Sequence, residues 1–283
     1  MTTRVAGGIG TMEGRTVLIT GATDGIGKAT ATALAVLGAK VIVHGRKADR
    51  CEEVRRRILK TDPGAQVDIE VADLSSLEEV RGLAGRIKAR SPALHVLINN
   101  AGVYMTQRVL TVDGLEITFA VNHLAHFLLT LLLLDLLRHS TPARVITLSS
   151  IAHTRGMLDL GSLREEKKFD GYTAYAMSKL ANILFTVELA GRLNGSGVTA
   201  NCLHPGVIQT KLLREGFPSL DGGSTANGAA TSVFLASAPD VAAVSGKYFV
   251  NGKEQRSSGD STDPRLRKEL WRVSEQLSGM ILP

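Results

Sequence analysis

Arg15-Thr-Val-Leu-Ile-Thr20-Gly21-Ala-Thr23-Asp24-Gly25-Ile26-Gly27 decides the fold. Its first six residues are a short run, apolar and β-branched at the centre, which reads as a strand. A glycine-rich turn follows, and Lys28 to Leu37 then has helical character. Strand, glycine turn and helix together aim backbone N–H groups and a helix N-terminus at an anion, and a phosphate suits that place. Glycine permits positive φ and a close approach of the backbone. The spacing is Gly-x3-Gly-x-Gly, which differs from the Gly-x-Gly-x-x-Gly dinucleotide fingerprint. A plain tight turn would look the same, so the reading depends on what lies further along.

Outward from that stretch, strands and helices alternate. Strands are predicted at Ala39–Gly45, Gln66–Val71, Leu94–Ile98, Ala143–Leu148, Val198–Leu203 and Gly246–Val250. Helices are predicted at Ala48–Lys60, from Ser75 or Ser76 to about Arg90, and from about Leu115 to Arg138. Further helices are predicted from the Tyr172 region to Leu193, from about Ala229 to Ser237, and from Pro264 onward. This alternation implies an α/β, Rossmann-type, doubly wound and mostly parallel sheet with helices on both faces. Neither a linker nor a repeat divides the chain, so 15–283 is read as a single domain after a flexible segment, 1–14. Ligands of such sheets sit beyond the carboxyl ends of the strands. Gly21, Arg46, Asp73 and Asn100 all fall there, and Ser149-Ser150 ends the fifth strand on the same edge.

The end of the second strand speaks to the cofactor. An acidic residue there holds a ribose 2′-hydroxyl, whereas an arginine accommodates a 2′-phosphate. The sequence is His44-Gly45-Arg46-Lys47, with two cations and no carboxylate. Arg46 offers a planar fork to a phosphate and Lys47 adds charge, so NADP(H) is expected rather than NAD(H).

Bulk properties exclude several classes. The chain has 283 residues, 44% apolar, with a formal net charge of +6. Its basic residues are scattered, so no nucleic-acid partner is expected. Cys51 and Cys202 give neither a disulfide framework nor a metal spacing, which suits a reducing cytoplasm. His123, His126 and His153 lack a carboxylate or cysteine partner at ligand spacing, and no metal is expected. The apolar run Phe127–Leu134 is far shorter than the roughly 20 residues a bilayer requires, so no integral membrane segment is expected.

Tyr172-Thr-Ala-Tyr175-Ala-Met-Ser-Lys179 supplies chemistry. Tyr175 and Lys179 stand one helical turn apart on one face. A free phenol has a pKa of about 10, and a cation held beside it is expected to lower that value. The pair therefore suits proton exchange at an oxygen.

Taken together, these motifs resemble the short-chain dehydrogenase/reductase family over almost the whole length. The resemblance rests on Thr20-Gly21-x3-Gly25-Ile26-Gly27, Asp73-Leu74, Asn99-Asn100-Ala101-Gly102, Asn122, Ser150, Tyr175-x3-Lys179 and Pro205-Gly206. Val121-Asn122-His123-Leu124, the run Leu148 to His153, Lys179 to Phe185 and Ser245 to Phe249 are similar to the retinol-dehydrogenase-like branch. That branch commonly uses NADP(H) on retinoids, steroids and other lipophilic carbonyls.

The resemblance implies roles by position. Gly21, Gly25 and Ile26, with Thr23 and Asp24 in the same loop, would meet the pyrophosphate; Arg46 and Lys47 would meet the 2′-phosphate. Asp73 would bond the adenine amine with Leu74 near the ring, and Asn100, Ala101 and Gly102 would line the adenosine side. Pro205, Gly206, Ile208 and Thr210 would meet the nicotinamide end. Tyr175 would exchange the proton, Lys179 would bind the ribose hydroxyls, Ser150 would polarise the carbonyl, and Asn122 would hold a water linking Lys179 to solvent. A homo-oligomer, dimer or tetramer, is implied, pairing through the helices at Leu115–Arg138 and Tyr175–Leu193.

Alternatives stay open at this point. Ser149 also carries a hydroxyl, although alternation prevents both serines from facing the site. Tyr172 has a spacing to Lys179 like that of enoyl reductases, which act on double bonds; otherwise it lines the pocket. The same fold could also carry a catalytically silent nucleotide-binding regulator. The leucine-rich helix could be buried between subunits or within one chain. The stretches 152–171 and 207–223 could cover the substrate.

Overall fold

The apolar runs pair as eight strands, and side-chain alternation divides them between two cores. The structure, a computed structural model, describes residues 8–163 and 168–280. The strands are β1 (Thr16–Ile19), β2 (Lys40–Gly45), β3 (Val67–Val71), β4 (Val96–Asn99), β5 (Ala143–Leu148), β6 (Val198–His204), β7 (Tyr248–Val250) and β8 (Lys253–Gln255). They form one sheet in the order β3-β2-β1-β4-β5-β6-β7-β8. All neighbours are parallel except β7 and β8, which are antiparallel. Leu18, Ile42, Leu97 and Val145 point to one core. Val17, Ile19, Val41, Val43, Val96, Ile98 and Ile146 point to the other. That alternation, with both faces apolar, is why both faces are covered by helices.

On the first face lie α3 (Leu77–Arg90), α5 (Ala125–Leu132) and α7 (Gly171–Arg192); on the second lie α1 (Gly25–Val36), α2 (Ala48–Thr61) and α9 (Thr225–Ser237). β1 lies between β2 and β4, so the strand order reverses there. A crevice opens beyond the carboxyl ends at such a reversal.

Several expected boundaries move. α1 begins at Gly25 rather than Lys28, because the Asp24 carboxylate accepts the Gly25 N–H at 2.7 Å. α9 begins at Thr225 rather than Ala229, capped by Ser224, whose hydroxyl accepts the Asn227 N–H. The expected single helix from Leu115 to Arg138 is broken into α4 (Ile117–Phe119), a π-turn at Ala120–Leu124, α5, and α6 (Leu134–His139). Three short elements have no counterpart in the sequence reading: α8 (Lys211–Gly216), β8 and α10 (Gly259–Thr262).

The leucine-rich stretch is buried within one chain. Phe127, Leu128 and Leu129 are fully enclosed. The C-terminal helix α11 (Pro264–Ser278) lies on this side, where Trp271 meets Phe127 edge-on at 5.0 Å and stacks with Phe185 at 6.1 Å. Trp271 of α11 thus covers Phe127 and Phe185 on the two helices expected to pair subunits. Of the segment 1–14, residues 1–7 lie outside the described residues, while Met12 is buried and its N–H donates to Leu37 O at 2.8 Å. Of the 152–171 stretch, residues 164–167 lie outside the described residues.

Candidate active site

The glycine loop is held by backbone geometry that only small residues allow. Gly21 and Gly25 have φ of +63° and +53°. A Cβ on Gly21 would lie 2.9 Å from Ala101 Cα, and one on Gly27 would collide with the Gly21 carbonyl oxygen. Asn100 fastens the loop from beneath: its side-chain amide donates to Thr20 O (2.7 Å) and Gly21 O (3.2 Å). The Asn100 and Ala101 N–H groups donate to Thr20 Oγ1 at 2.9 and 3.0 Å. His44 Nδ1 accepts the Gly21 N–H (3.2 Å), and its Nε2 lies 3.1 Å from Ala72 O. Burial lowers the His44 pKa to about 4, so the ring is neutral. Asn100 therefore acts on the loop, and His44 and Thr20 join it in roles the motif reading passed over.

Around that loop the structure brings together most of the expected residues. Thr23 packs against Gly45, so closely that a Cβ there would strike its methyl. Arg46 and Lys47 follow, exposed, and form no ion pair among the described residues. Asp73 accepts the Ser75 N–H at 2.9 Å, while Leu74 is buried in the core beside Val80 and Leu83. A Cβ on Gly25 would rest 3.2 Å from the Thr210 methyl, so Thr210 closes the loop's other side. Ile208 packs against Gly228, where a Cβ would lie 2.8 Å from Ile208 and 2.9 Å from Ile26. Pro205 and Gly206 precede Ile208, and Gly206 has a φ of +91°. A loop with positive-φ glycines at a helix N-terminus, with two unpaired cations at the next strand end, fits a phosphorylated dinucleotide.

Tyr175, Lys179 and Ser150 converge beyond the end of β5. Lys179 Nζ lies 5.4 Å from the Tyr175 ring centroid and donates to Leu148 O at 3.2 Å. The Ser150 side chain acts on the Tyr175 phenol and opposes the rise in its pKa. Gly102 lies in front: a Cβ there would meet Asn122 Oδ1 at 3.5 Å and Lys179 Nζ at 3.6 Å. Ser149 points the other way and donates to Lys179 O at 2.7 Å. Asn122, in the π-turn, accepts the Val103 N–H (2.7 Å) and donates to Val103 O (3.0 Å) and Ser178 Oγ (3.0 Å). Its side chain is thus spent on holding Val103 and α7.

The electrostatics correct one expectation. Burial pushes Tyr175 up to about 12, opposed by the Ser150 hydrogen bond, and it pushes Lys179 down to about 8. The ammonium lies over the ring, and loss of water around the phenol is the dominant influence on it. The phenol is therefore a proton donor at neutral pH.

The sequence reading also missed an aromatic wall. Phe217, at the end of α8, has its ring centroid 5.0 Å from Tyr104, 6.0 Å from Tyr175 and 6.0 Å from Tyr172. Tyr104 lies 5.8 Å from Tyr175. Gly216 permits the closure, since a Cβ there would lie 2.8 Å from the Tyr104 ring. Tyr104 and Phe217 stand in irregular segments with no periodicity, so only the fold assembles them. Tyr172 belongs to this wall. His123 and His153 are buried polar links: His123 Nε2 lies 3.0 Å from Ser274 Oγ, and His153 Nε2 accepts the Ser258 N–H at 3.2 Å. No helix among the described residues is long and apolar enough to cross a membrane.

A parallel α/β sheet with a glycine loop after β1 and a Ser-Tyr-Lys cluster beyond β5 defines a nucleotide-dependent oxidoreductase. Residues 15–220 match the family model described as short chain dehydrogenase. Human retinol dehydrogenase 14 is 41% identical over 98% of this chain and 90% of its own length. Mouse retinol dehydrogenase 12 is 43% identical over 97% and 91%. Among solved structures, an uncharacterized protein from Mycobacterium paratuberculosis superposes with a TM-score of 0.82 at 34% identity, covering 97% of both chains. Pseudomonas aeruginosa RhlG, solved as an NADP active-site complex, gives 0.71 at 27% identity over 86% of this chain and 96% of that one. The chain belongs to the short-chain dehydrogenase/reductase family, in its retinol-dehydrogenase-like branch.

Proposed function

We propose that this chain interconverts a lipophilic aldehyde or ketone and its alcohol with NADP(H), Tyr175 acting as the general acid/base. The observation that carries the reading is the convergence of the Ser150 hydroxyl and the Lys179 ammonium on Tyr175, beside Gly102. The bound nicotinamide supplies or accepts the hydride. Tyr175, protonated at neutral pH, gives its proton to the carbonyl oxygen as negative charge develops there. Ser150 donates a hydrogen bond to that oxygen. Lys179, still cationic in most molecules at pH 7, binds the ribose hydroxyls and stabilises the tyrosinate left when Tyr175 gives up its proton. Arg46 and Lys47 hold the 2′-phosphate. Gly21, Thr23, Asp24, Gly25 and Ile26 approach the pyrophosphate; Asp73, Leu74, Asn100, Ala101 and Gly102 flank the adenosine; Pro205, Gly206, Ile208 and Thr210 flank the nicotinamide. The wall of Tyr104, Tyr172 and Phe217 excludes water and favours an apolar, flat substrate of retinoid or steroid character.

The test is NADPH consumption with a panel of aldehydes and ketones. Tyr175→Phe should lose about 10²- to 10⁴-fold in turnover, with Tyr172→Phe nearer the parent. The opposite ranking, with activity on conjugated double bonds, would establish the Tyr172 reading instead. The reading also includes a cytoplasmic homo-oligomer. The subunits would pair through the helices at Leu115–Arg138 and Tyr175–Leu193. Light scattering at micromolar concentration should give a multiple of the 30.1 kDa chain mass, and a single-chain mass rejects it.

A further inference from the structure

His126 stands at the start of α5, one turn beyond Asn122, and is 1% exposed. Its Nε2 lies 2.9 Å from Thr20 Oγ1 and its Nδ1 3.1 Å from the Asn122 carbonyl oxygen. Counting donors and acceptors sets the tautomer. Thr20 Oγ1 already accepts two N–H bonds, from Asn100 and Ala101. A hydroxyl has two lone pairs and one proton, so its O–H must donate. Ile98 O is available only at 3.4 Å, against 2.9 Å for the ring nitrogen. His126 Nε2 is therefore the acceptor, and Nδ1–H donates to Asn122. Burial keeps the ring neutral, with Lys179 and the neighbouring histidines His123 and His44 acting in the same direction.

Each end of this link continues into the site. Thr20 closes β1 and, through Asn100 and Ala101, fixes the strand end beneath the glycine loop. Asn122 clasps Val103 and Ser178, and Ser178 Oγ donates to Tyr175 O at 2.7 Å. A chain of buried polar groups thus runs from the nucleotide edge to the helix that carries Tyr175 and Lys179.

We propose that His126 is a positioning residue that ties the Thr20–Asn100 end of the nucleotide edge to the Asn122–Ser178 side of the proton-transfer helix. Removing the link frees the Thr20 hydroxyl to rotate and loosens the two amides it accepts. Cofactor binding therefore suffers before proton transfer does. The inference rests on the proposed reaction only in placing a nucleotide on this edge.

Three full-length proteins decide it: the parent, His126→Leu, which removes both polar atoms, and His126→Gln, which can still donate to Asn122 and accept from Thr20. The readouts are NADPH titration by fluorescence, turnover, and amide exchange of the peptide carrying Asn100 and Ala101. His126→Leu should bind NADPH about tenfold more weakly, exchange those amides faster and change turnover at saturating cofactor by less than about threefold. His126→Gln should return affinity and exchange to near the parent. Parent-like affinity and exchange in His126→Leu would overturn the proposal, as would a folded His126→Gln as impaired as the leucine variant. If His126→Leu does not fold, His126→Asn, too short to reach Thr20 Oγ1, takes its place: about tenfold weaker NADPH binding and faster exchange support the link, and parent-like values refute it. If the parent turns over no carbonyl, the proposed reaction falls, while amide exchange still judges the link.

Discussion

Lowering the pH from about 7.5 to about 5 should cost this fold at least about 6 kcal/mol, the share of its three most enclosed imidazoles. His44, His123 and His126 are each at most 1% exposed. Burial lowers their pKa values to about 4, 3 and 3 from a free value of 6.5. The folded values lie below the unfolded one, so the unfolded chain binds more protons as the pH falls. Their contribution is therefore complete above about pH 6.5 and drains away as the pH drops toward 3 to 4. At about pH 5 each unfolded histidine gains about 2 kcal/mol, from about 1.4 kcal/mol per pH unit over about 1.5 units. The three together approach the whole stability of a typical domain, about 5–15 kcal/mol. Asp170 and Asp263, held below the usual carboxylate range by hydrogen bonds from Thr173 and Arg265, lose their contribution only below about pH 4, outside this window. The assay is urea unfolding at several pH values between about 7.5 and 5. Midpoints should fall steeply below about pH 6.5 with an unchanged slope m, and proton uptake on unfolding should exceed three, because His204, lowered to about 4, and the lowered His95 and His153 add to the three enclosed rings. Midpoints that stay level down to about pH 5.5 would refute the reasoning, since the rings would then be charged or solvated in the native state.

Two further substitutions test the nucleotide edge. Arg46→Ala should weaken NADPH by about 10- to 100-fold, the loss of a charge-assisted bond worth about 1.5–3 kcal/mol, while NADH changes by less than about threefold. Equal affinities of the parent for NADPH and NADH would remove Arg46 from the 2′-phosphate. Gly27→Ala should cost about 1–3 kcal/mol, because the methyl would press on the Gly21 carbonyl, Asn100 Nδ2 and the Ala22 backbone. A thermal midpoint and nucleotide affinity equal to the parent's would show that the loop is looser than this packing implies.

The sheet was legible because its physics is local. Apolar β-branched runs such as Val17–Ile19 and Val41–Val43 announce strands, and their alternation with helical segments announces parallel pairing. The glycines of the loop could be read because their absent side chains leave room for backbone, an effect that spacing alone records. What escaped the reading depends on contacts between distant segments. β8 is a short exposed Lys-Glu-Gln strand that exists by pairing with β7. α8 forms where Thr210 caps the Leu213 N–H, in a stretch with no apolar period. The π-turn inside the leucine-rich helix has no sequence mark, because an all-apolar run hides where the hydrogen-bond ladder changes. Likewise, an apolar helix reads the same whether a second subunit or α11 covers it.

The site shows the same division, with one reversal of sign. Tyr175 and Lys179 were found by spacing, and spacing correctly puts them on one helical face. From spacing alone, a cation next to a phenol should make it more acidic. Spacing says nothing about water, however, and the fold buries both groups: Tyr175 is 8% exposed and Lys179 4%. Desolvation disfavours the charged form of each, raising the phenol and lowering the ammonium. At their sequence separation the ammonium lies over the ring, and it donates a hydrogen bond to Leu148 O. Only the Ser150 hydrogen bond acts to stabilise a phenolate. Ser150 therefore opposes the rise that burial imposes on this tyrosine. A Ser150→Ala variant should then move the alkaline limb of the pH–rate profile upward. A profile that shifts only when Lys179 is changed would restore the simpler electrostatic pairing read from the sequence.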